Sequence, residues 1–203
     1  MNTNSFKRTR DKRFINVLWI ASAAVIMACV ITPATASAQC GPIGNLVVNC
    51  GFETGTFSGW TVAWTDPSTF VPPVTANCAH SGSYCAALGA VPGWNQVSQT
   101  LNENTPTKYP AGTVFTVSFW LNNQVGACCK NYFEARWNDT TLMVISEATV
   151  PTGYTHYSFQ VVGTGGTRDT LSFIEENQPS FFFLDDVNVV PGGPPPYIPN
   201  VKN

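Results

Sequence analysis

TVFTVSFWL, residues 113–121, is the stretch on which the fold turns. Phe115, Val117, Phe119 and Leu121 alternate with Val114, Thr116, Ser118 and Trp120, the period-two pattern of a strand with one face in a core. Working outward, the same short, turn-bounded pattern recurs. On the C-terminal side, Tyr132–Trp137 and Thr141–Ile145 flank Asn138-Asp139, which reads as a hairpin turn. Tyr154–Val162, Thr167–Ile174 and Phe181–Val190 continue the series. On the N-terminal side, Asn95–Leu101, Ser83–Leu88, Trp60–Trp64 and Asn45–Cys50 read as strands, the last with Leu46, Val48 and Cys50 on one face. Turns rich in Gly, Pro, Asn and Ser separate them, and no stretch has the apolar spacing of an amphipathic helix. Roughly nine or ten strands at this spacing predict an all-β fold, an antiparallel β-sandwich.

Lys7, Arg8, Arg10, Lys12 and Arg13 precede an apolar run from Phe14 to Ile31, and Ala36-Ser37-Ala38 follows as a small-x-small cleavage signal. Residues 1–38 therefore read as a signal peptide, with an uncleaved anchor as the alternative that the length of the run allows. Residues 39–190 are expected to form one β-sandwich domain, and residues 191–203, PGGPPPYIPNVKN, a flexible Pro/Gly-rich tail. The leader takes five of the ten Lys and Arg and one of the twelve Asp and Glu, leaving a mature charge of −6. A chain so poor in clustered cations is not expected to bind nucleic acid. The expected location is secreted, extracellular or periplasmic, with no membrane contact after cleavage.

Six cysteines remain in the mature chain: Cys40, Cys50, Cys78, Cys85, Cys128 and Cys129. An even number in an exported chain points to disulfides. Cys40 with Cys50 and Cys78 with Cys85 are the local pairs, while the adjacent Cys128 and Cys129 bond to each other or elsewhere. There is no CxxC zinc pattern, no GxSxG elbow and no HExxH helix. The paired acids Glu175-Glu176 and Asp185-Asp186 are strand neighbours that point to opposite faces and cannot flank one glycosidic bond. Glu134 and Glu147 could approach across a hairpin, but no second feature supports them. The chain is not expected to be an enzyme.

Two segments carry a different signal. NLVVNCGFETGTFSGW, residues 45–60, places Glu53 between glycines just after an apolar stretch. In the last strand, alternation puts Asp185 on the same face as Phe183, Val187 and Val189. A buried carboxylate needs a cation or several donors, or it stays protonated. Calcium ligated by oxygens is one solution. The other is a turn capped through backbone amides, with Glu53 left solvated. First and last strands lying side by side would bring Glu53 close to Asp185 or Asp186.

Residues 45–60, AHSGSYCAAL (79–88), VSQTL (97–101), TVFTVSFWL (113–121) and FFLDDVNV (182–189), in this order, resemble the galactose-binding-like jelly roll. The chain is similar to carbohydrate-binding modules of bacterial xylanases and cellulases, and to secreted bacterial proteins that end in a PEP-type sorting signal. That resemblance implies a structural calcium joining Glu53 to Asp185 or Asp186, with Ser81 and the backbone of the His80–Ser83 turn. It also implies a non-catalytic protein whose partner is a polysaccharide or glycan. Cys50 stands where such proteins commonly have Gly, which suggests a disulfide beside the site. The sorting tail is absent, which implies free secretion. Sugar binding needs aromatic faces and planar polar groups. Trp94, Trp64, Trp120 and Tyr132 are the stacking candidates, and Gln124 and Arg136, with Asn122 and Asn138, the polar ones. Trp60 and Trp137 are expected to pack in the core or hairpin. The alternative function is a structural, cell-surface or matrix protein that uses the same fold for protein contacts.

Overall fold

Alternating apolar residues form ten strands in the computed structural model, which describes residues 41–65, 72–89, 93–101, 109–124, 130–146, 153–165 and 169–192. They are β1 (Thr61–Trp64), β2 (Val74–Thr75), β3 (Cys85–Leu88), β4 (Asn95–Thr100), β5 (Val114–Asn123), β6 (Lys130–Trp137), β7 (Thr140–Ser146), β8 (Thr155–Val162), β9 (Thr170–Gln178) and β10 (Phe182–Pro191). The expected leader, Cys40, Cys128, Cys129, Glu147 and most of the expected tail lie outside the described residues. The short β2 falls in a segment whose prolines predict only loop.

All pairings are antiparallel, in a first sheet ordered β1-β4-β9-β6-β7 and a second ordered β2-β3-β10-β5-β8. The expected sandwich is the one observed. Its core is the apolar face of β5, Phe115, Val117, Phe119 and Leu121, buried against Val97, Phe133, Ala135 and Phe173 of the first sheet. The Phe119 ring lies 5.1 Å from that of Phe173 and 6.1 Å from that of Phe133. Apolar burial of this kind supplies the main stabilisation, about 1.5–3 kcal/mol for each large side chain. Trp60 and Trp137 are buried, as expected.

Asn45–Cys50 is not a strand, which corrects the reading from alternation. Val47 and Cys50 are buried, whereas Val48 is 61% exposed. A backbone bond remains there, from the Leu46 amide to the Val189 carbonyl (2.9 Å), and side chains supply others. Asn45 Oδ1 accepts from the amides of Val47 and Val189, and the Gln99 amide brackets Val48, accepting from its N–H and donating to its carbonyl. Asn49 and Phe52 then turn the chain at φ +52° and +56°. Those turns bring Glu53 down beside the loop before β3.

Asp185 is also placed differently from expectation. Phe182 and Leu184 face the core, and so do Val187 and Val189, because a β-bulge between Asp185 and Asn188 resets the phase. Asp186, at φ +48°, is the extra residue, and the Val187 amide bonds to the Cys50 carbonyl. Asp185 therefore points away from the core, yet it is completely buried, because the turn at His80–Tyr84 covers it. Its Oδ2 accepts from the amides of His80 (2.7 Å) and Ser81 (3.2 Å), and its Oδ1 from that of Asp186 (2.8 Å). Glu53 holds the same turn from the other end, accepting from the amides of Ser83 (2.9 Å) and Tyr84 (3.0 Å). Asp186 adds bonds to the His80 ring (2.7 Å) and the Ser81 hydroxyl (2.6 Å). Gly82 has no alternative here: its φ is +66°, and a Cβ would sit 2.3 Å from Glu53 Oε1. The Cys78–Cys85 disulfide ties the two ends of the turn together, as expected, and Cys50 is disulfide-bonded too.

Glu53, Ser81, Asp185 and Asp186 thus meet at one turn, but this donor set does not fit an ion as it stands. Its carboxylates face N–H and O–H donors, and no group of three or more His, Cys, Asp or Glu among the described residues is arranged to hold a metal. Asp185 caps the turn through backbone amides, and Glu53 is a second cap and not a solvated acid. Burial, then the charge of Asp186, pushes the Asp185 carboxyl up from 3.8 to about 6 against the pull of the three amides. Asp185→Ala strands those amides and is expected to cost about 3 kcal/mol. Asp186→Asn keeps a residue that tolerates positive φ and is expected to cost less than about 1 kcal/mol. Chemical denaturation of both variants checks the order, and equal losses would contradict it.

Candidate functional site

Strand alternation sends one set of first-sheet side chains away from the core. Register aligns them in rows across the sheet: Ala63, Gln96, Ile174 and Glu134 in one, and Ser98, Ser172 and Arg136 in the next. Two cavities open on this face. The smaller, about 280 Å³, is lined by Ala63, Trp64, Thr65, Trp94, Asn95, Gln96 and Ile174. The larger, about 560 Å³, is lined by Gln96, Arg136, Asn138, Asp139, Thr164, Thr170 and Ser172. Gln96 borders both, so they lie side by side as two parts of a groove along β9 from Ile174 to Thr170, about 13 Å at the ~3.3 Å rise of a strand.

One end of the groove is aromatic. Trp64 is 46% and Trp94 38% exposed, large apolar area for a surface position. Trp94 is pinned by Thr65, whose amide donates to the Trp94 carbonyl (3.1 Å) and whose Oγ1 accepts from the Trp94 amide (3.0 Å). The Trp94 ring meets Tyr132 edge-on, with centroids 4.4 Å apart.

The other end is polar and fixed by Glu134. Tyr132, Glu134 and Arg136 alternate along β6 and so share one face. Glu134 accepts from Arg136 Nε (2.7 Å) and Nη2 (2.8 Å), from the Tyr132 hydroxyl (2.8 Å) and from Thr141 Oγ1 (2.5 Å). Although only 3% exposed, its carboxyl is held down at about 2, chiefly by the Arg136 hydrogen bonds. A carboxylate so saturated cannot serve as a general acid near neutral pH. The Tyr132 hydroxyl is raised by burial and by the same carboxylate.

Of the residues expected to bind ligand, Trp94, Tyr132 and Arg136 come together on this face, and Trp64 borders the smaller cavity from the end of β1, where its register with Asn95 gives it the parity opposite to Ala63. Trp120 and Gln124 do not. Both belong to the β5 side of the second sheet, where the His80 ring stacks on Trp120 at 3.9 Å and the Gln124 side chain accepts from Ser180 Oγ. Burial and the neighbouring His80 lower the pKa of His156, 5.0 Å from Trp120. Asn138 lines the larger cavity, whereas Asn122 is held by the Gly153 amide. Sequence reasoning missed Gln96, Ile174 and Ser172, and met Glu134 only as half of a catalytic pair. The alternation Tyr132-x-Glu134-x-Arg136 was the signal for the last.

No family model matches this sequence, and no curated protein is significantly similar to it. Solved structures do match. A family 61 carbohydrate-binding module in complex with β-1,4-galactotriose aligns at 22% identity and a TM-score of 0.52, covering 72% of this chain and 98% of its own. The C-terminal family 22 carbohydrate-binding module of Clostridium thermocellum Xyn10B aligns at 16% identity and 0.51, covering 75% and 98%. The K1 cleaved adhesin domain of Lys-gingipain from Porphyromonas gingivalis aligns at 11% and 0.54, covering 70% and 96%. At these identities the likeness is one of fold, the jelly-roll sandwich expected from the five sequence segments.

The depressed carboxyl of Glu134 makes stability depend on acid. Its contribution is fully present above the ordinary value of 4.5 and is lost as pH falls through about 2. Urea midpoints should therefore decline between pH 4.5 and 2 more steeply for the wild type than for Glu134→Gln. Parallel profiles would contradict the assignment.

Proposed function

We propose that this is an exported, non-catalytic module that binds extracellular carbohydrate through the outer face of the first sheet. The observation that carries the reading is the joining, in one groove, of an exposed aromatic end, Trp64 and Trp94, to a polar end with Gln96, Arg136 and Ser172. Sugar rings offer apolar faces that pack on indoles, and hydroxyls at their edges that need planar hydrogen-bonding groups. A groove longer than one ring suits a chain rather than a single sugar. The two carbohydrate-binding modules with similar folds add support. Export is supported by the Cys78–Cys85 disulfide, a bond that persists in oxidising compartments.

Calcium has a restricted place in the proposal. At Glu53, Asp185, Asp186 and Ser81 an ion would have to displace amide and hydroxyl donors, so hydrogen bonds are taken to close the turn and ligand binding is taken not to require the metal.

Affinity electrophoresis of the mature protein against a panel of plant, bacterial and animal polysaccharides tests this reading. Retardation by at least one polymer is expected, and Trp94→Ala should weaken it by about tenfold or more, given the ~1.5–3 kcal/mol of a covered aromatic face. Retardation should persist in a chelator. Failure to bind any polymer would leave the structural, protein-contact alternative in its place.

A further inference from the structure

The groove has an unusual charge arrangement, and it bears on which carbohydrates it can accept. Among the described residues lining the two cavities, Arg136 is the cation and Asp139 the anion. Arg136 is 40% exposed at its side chain, so its guanidinium reaches the groove. It is nevertheless committed to the carboxylate of Glu134 beneath it by two parallel bonds of 2.7 and 2.8 Å. A fork–fork pair of this kind uses the guanidinium edge that would otherwise grip a carboxylate on a ligand. Thr141 and Tyr132 hold the same Glu134 oxygens, so the carboxylate cannot swing away to release the arginine. What remains toward the ligand is a neutralised pair, the negative Asp139 and uncharged Gln96, Ser172, Thr170 and Asn138.

Resting on the carbohydrate-binding reading, we propose that Glu134 is a specificity-determining residue: by neutralising Arg136 it confines the groove to uncharged glycan chains and excludes those bearing uronate carboxylates. An acidic sugar entering beside Arg136 finds that guanidinium already paired and unable to offset the loss of its hydration, and it meets Asp139 as a like charge. A neutral sugar loses nothing by this, because its hydroxyls bond to amide and hydroxyl groups as well as to the outer N–H groups of the guanidinium. Specificity here is obtained by withholding an attraction and adding a repulsion.

The test compares matched polymers. β-1,4-Galactan and mixed-linkage β-glucan are each used beside a derivative oxidised at C6 to the uronate, so that the backbone is the same and only the carboxylate differs. With the wild-type chain, the neutral member of any pair that binds should be retained at least about tenfold more tightly, the scale of one charge-assisted hydrogen bond withheld. Glu134→Gln frees the guanidinium and should shift the ratio of oxidised to neutral affinity about tenfold toward the oxidised polymer, with a salt dependence that the wild type lacks. The double variant Glu134→Gln/Arg136→Gln should return the ratio toward wild type, which a purely structural role of Glu134 would not produce. Circular dichroism of each variant confirms its fold, and a variant that does not fold leaves the wild-type ratio to decide. Equal or tighter wild-type binding of the oxidised member overturns this inference while leaving carbohydrate binding intact. So does a ratio unmoved in a folded Glu134→Gln. Binding of neither member of any pair, alongside failure on the wider polysaccharide panel, overturns the underlying reading instead.

Discussion

The carboxylate of Asp185 is wholly buried on the outer side of the second sheet, and a buried charge must be satisfied. Three amides do this, two of them from the His80–Tyr84 turn, so the turn has to lie down on the sheet. Much else follows from that one contact. With Glu53 holding its far end, the turn joins the N-terminal segment to the last strand. The bulge at Asp186 that aims Asp185 outward also frees the Val187 amide to bind the Cys50 carbonyl. His80, carried in the turn, stacks on Trp120 and covers an aromatic face that would otherwise offer a ligand platform. The open aromatic surface is then that of the first sheet.

The first sheet uses a charged pair for a different purpose. Glu134 and Arg136 lie at the groove, where an isolated surface pair would contribute little. Here the carboxylate is nearly inaccessible, the bonds are bidentate, and a tyrosine and a threonine complete its shell. Such a network fixes side chains before any ligand arrives, so less conformational entropy is lost on binding. It also makes Tyr132 a rigid partner for Trp94, and through Trp94 for Thr65 at the edge of β1. The groove is thus held at both ends by hydrogen bonds.

Much of this was legible from alternation. β5 reads correctly because nothing interrupts it: four apolar residues at period two bury as four core residues. The last strand misreads at Asp185 because one residue with positive φ changes the parity, and an Asp-Asp dipeptide does not announce a bulge. Asn45–Cys50 alternates like a strand, but apart from the bonds of the Leu46 amide to Val189 and of the Val187 amide to Cys50, the side chains of Asn45 and Gln99 do the pairing that a neighbouring backbone would do. The aromatic candidates divided by sheet. Trp64, Trp94 and Tyr132 lie on β1, next to β4 and on β6, which the topology makes members of one sheet, whereas Trp120 and Gln124 follow β5 into the other. Sheet order depends on long-range pairing, and one sequence does not display it. Gln96, Ile174 and Ser172 were invisible for that reason, since only register assembles them into a surface.

The central claim is that the first sheet, and not the second, presents the ligand surface. Amide chemical-shift mapping of the isotope-labelled protein with a short neutral oligosaccharide, such as β-1,4-galactotriose or a β-glucan fragment, tests it most directly. The account predicts shifts concentrated at Trp94, Gln96, Arg136 and Ser172 through Ile174, with His80, Trp120 and His156 unmoved. Shifts gathered around His80, Trp120 and His156 would contradict it.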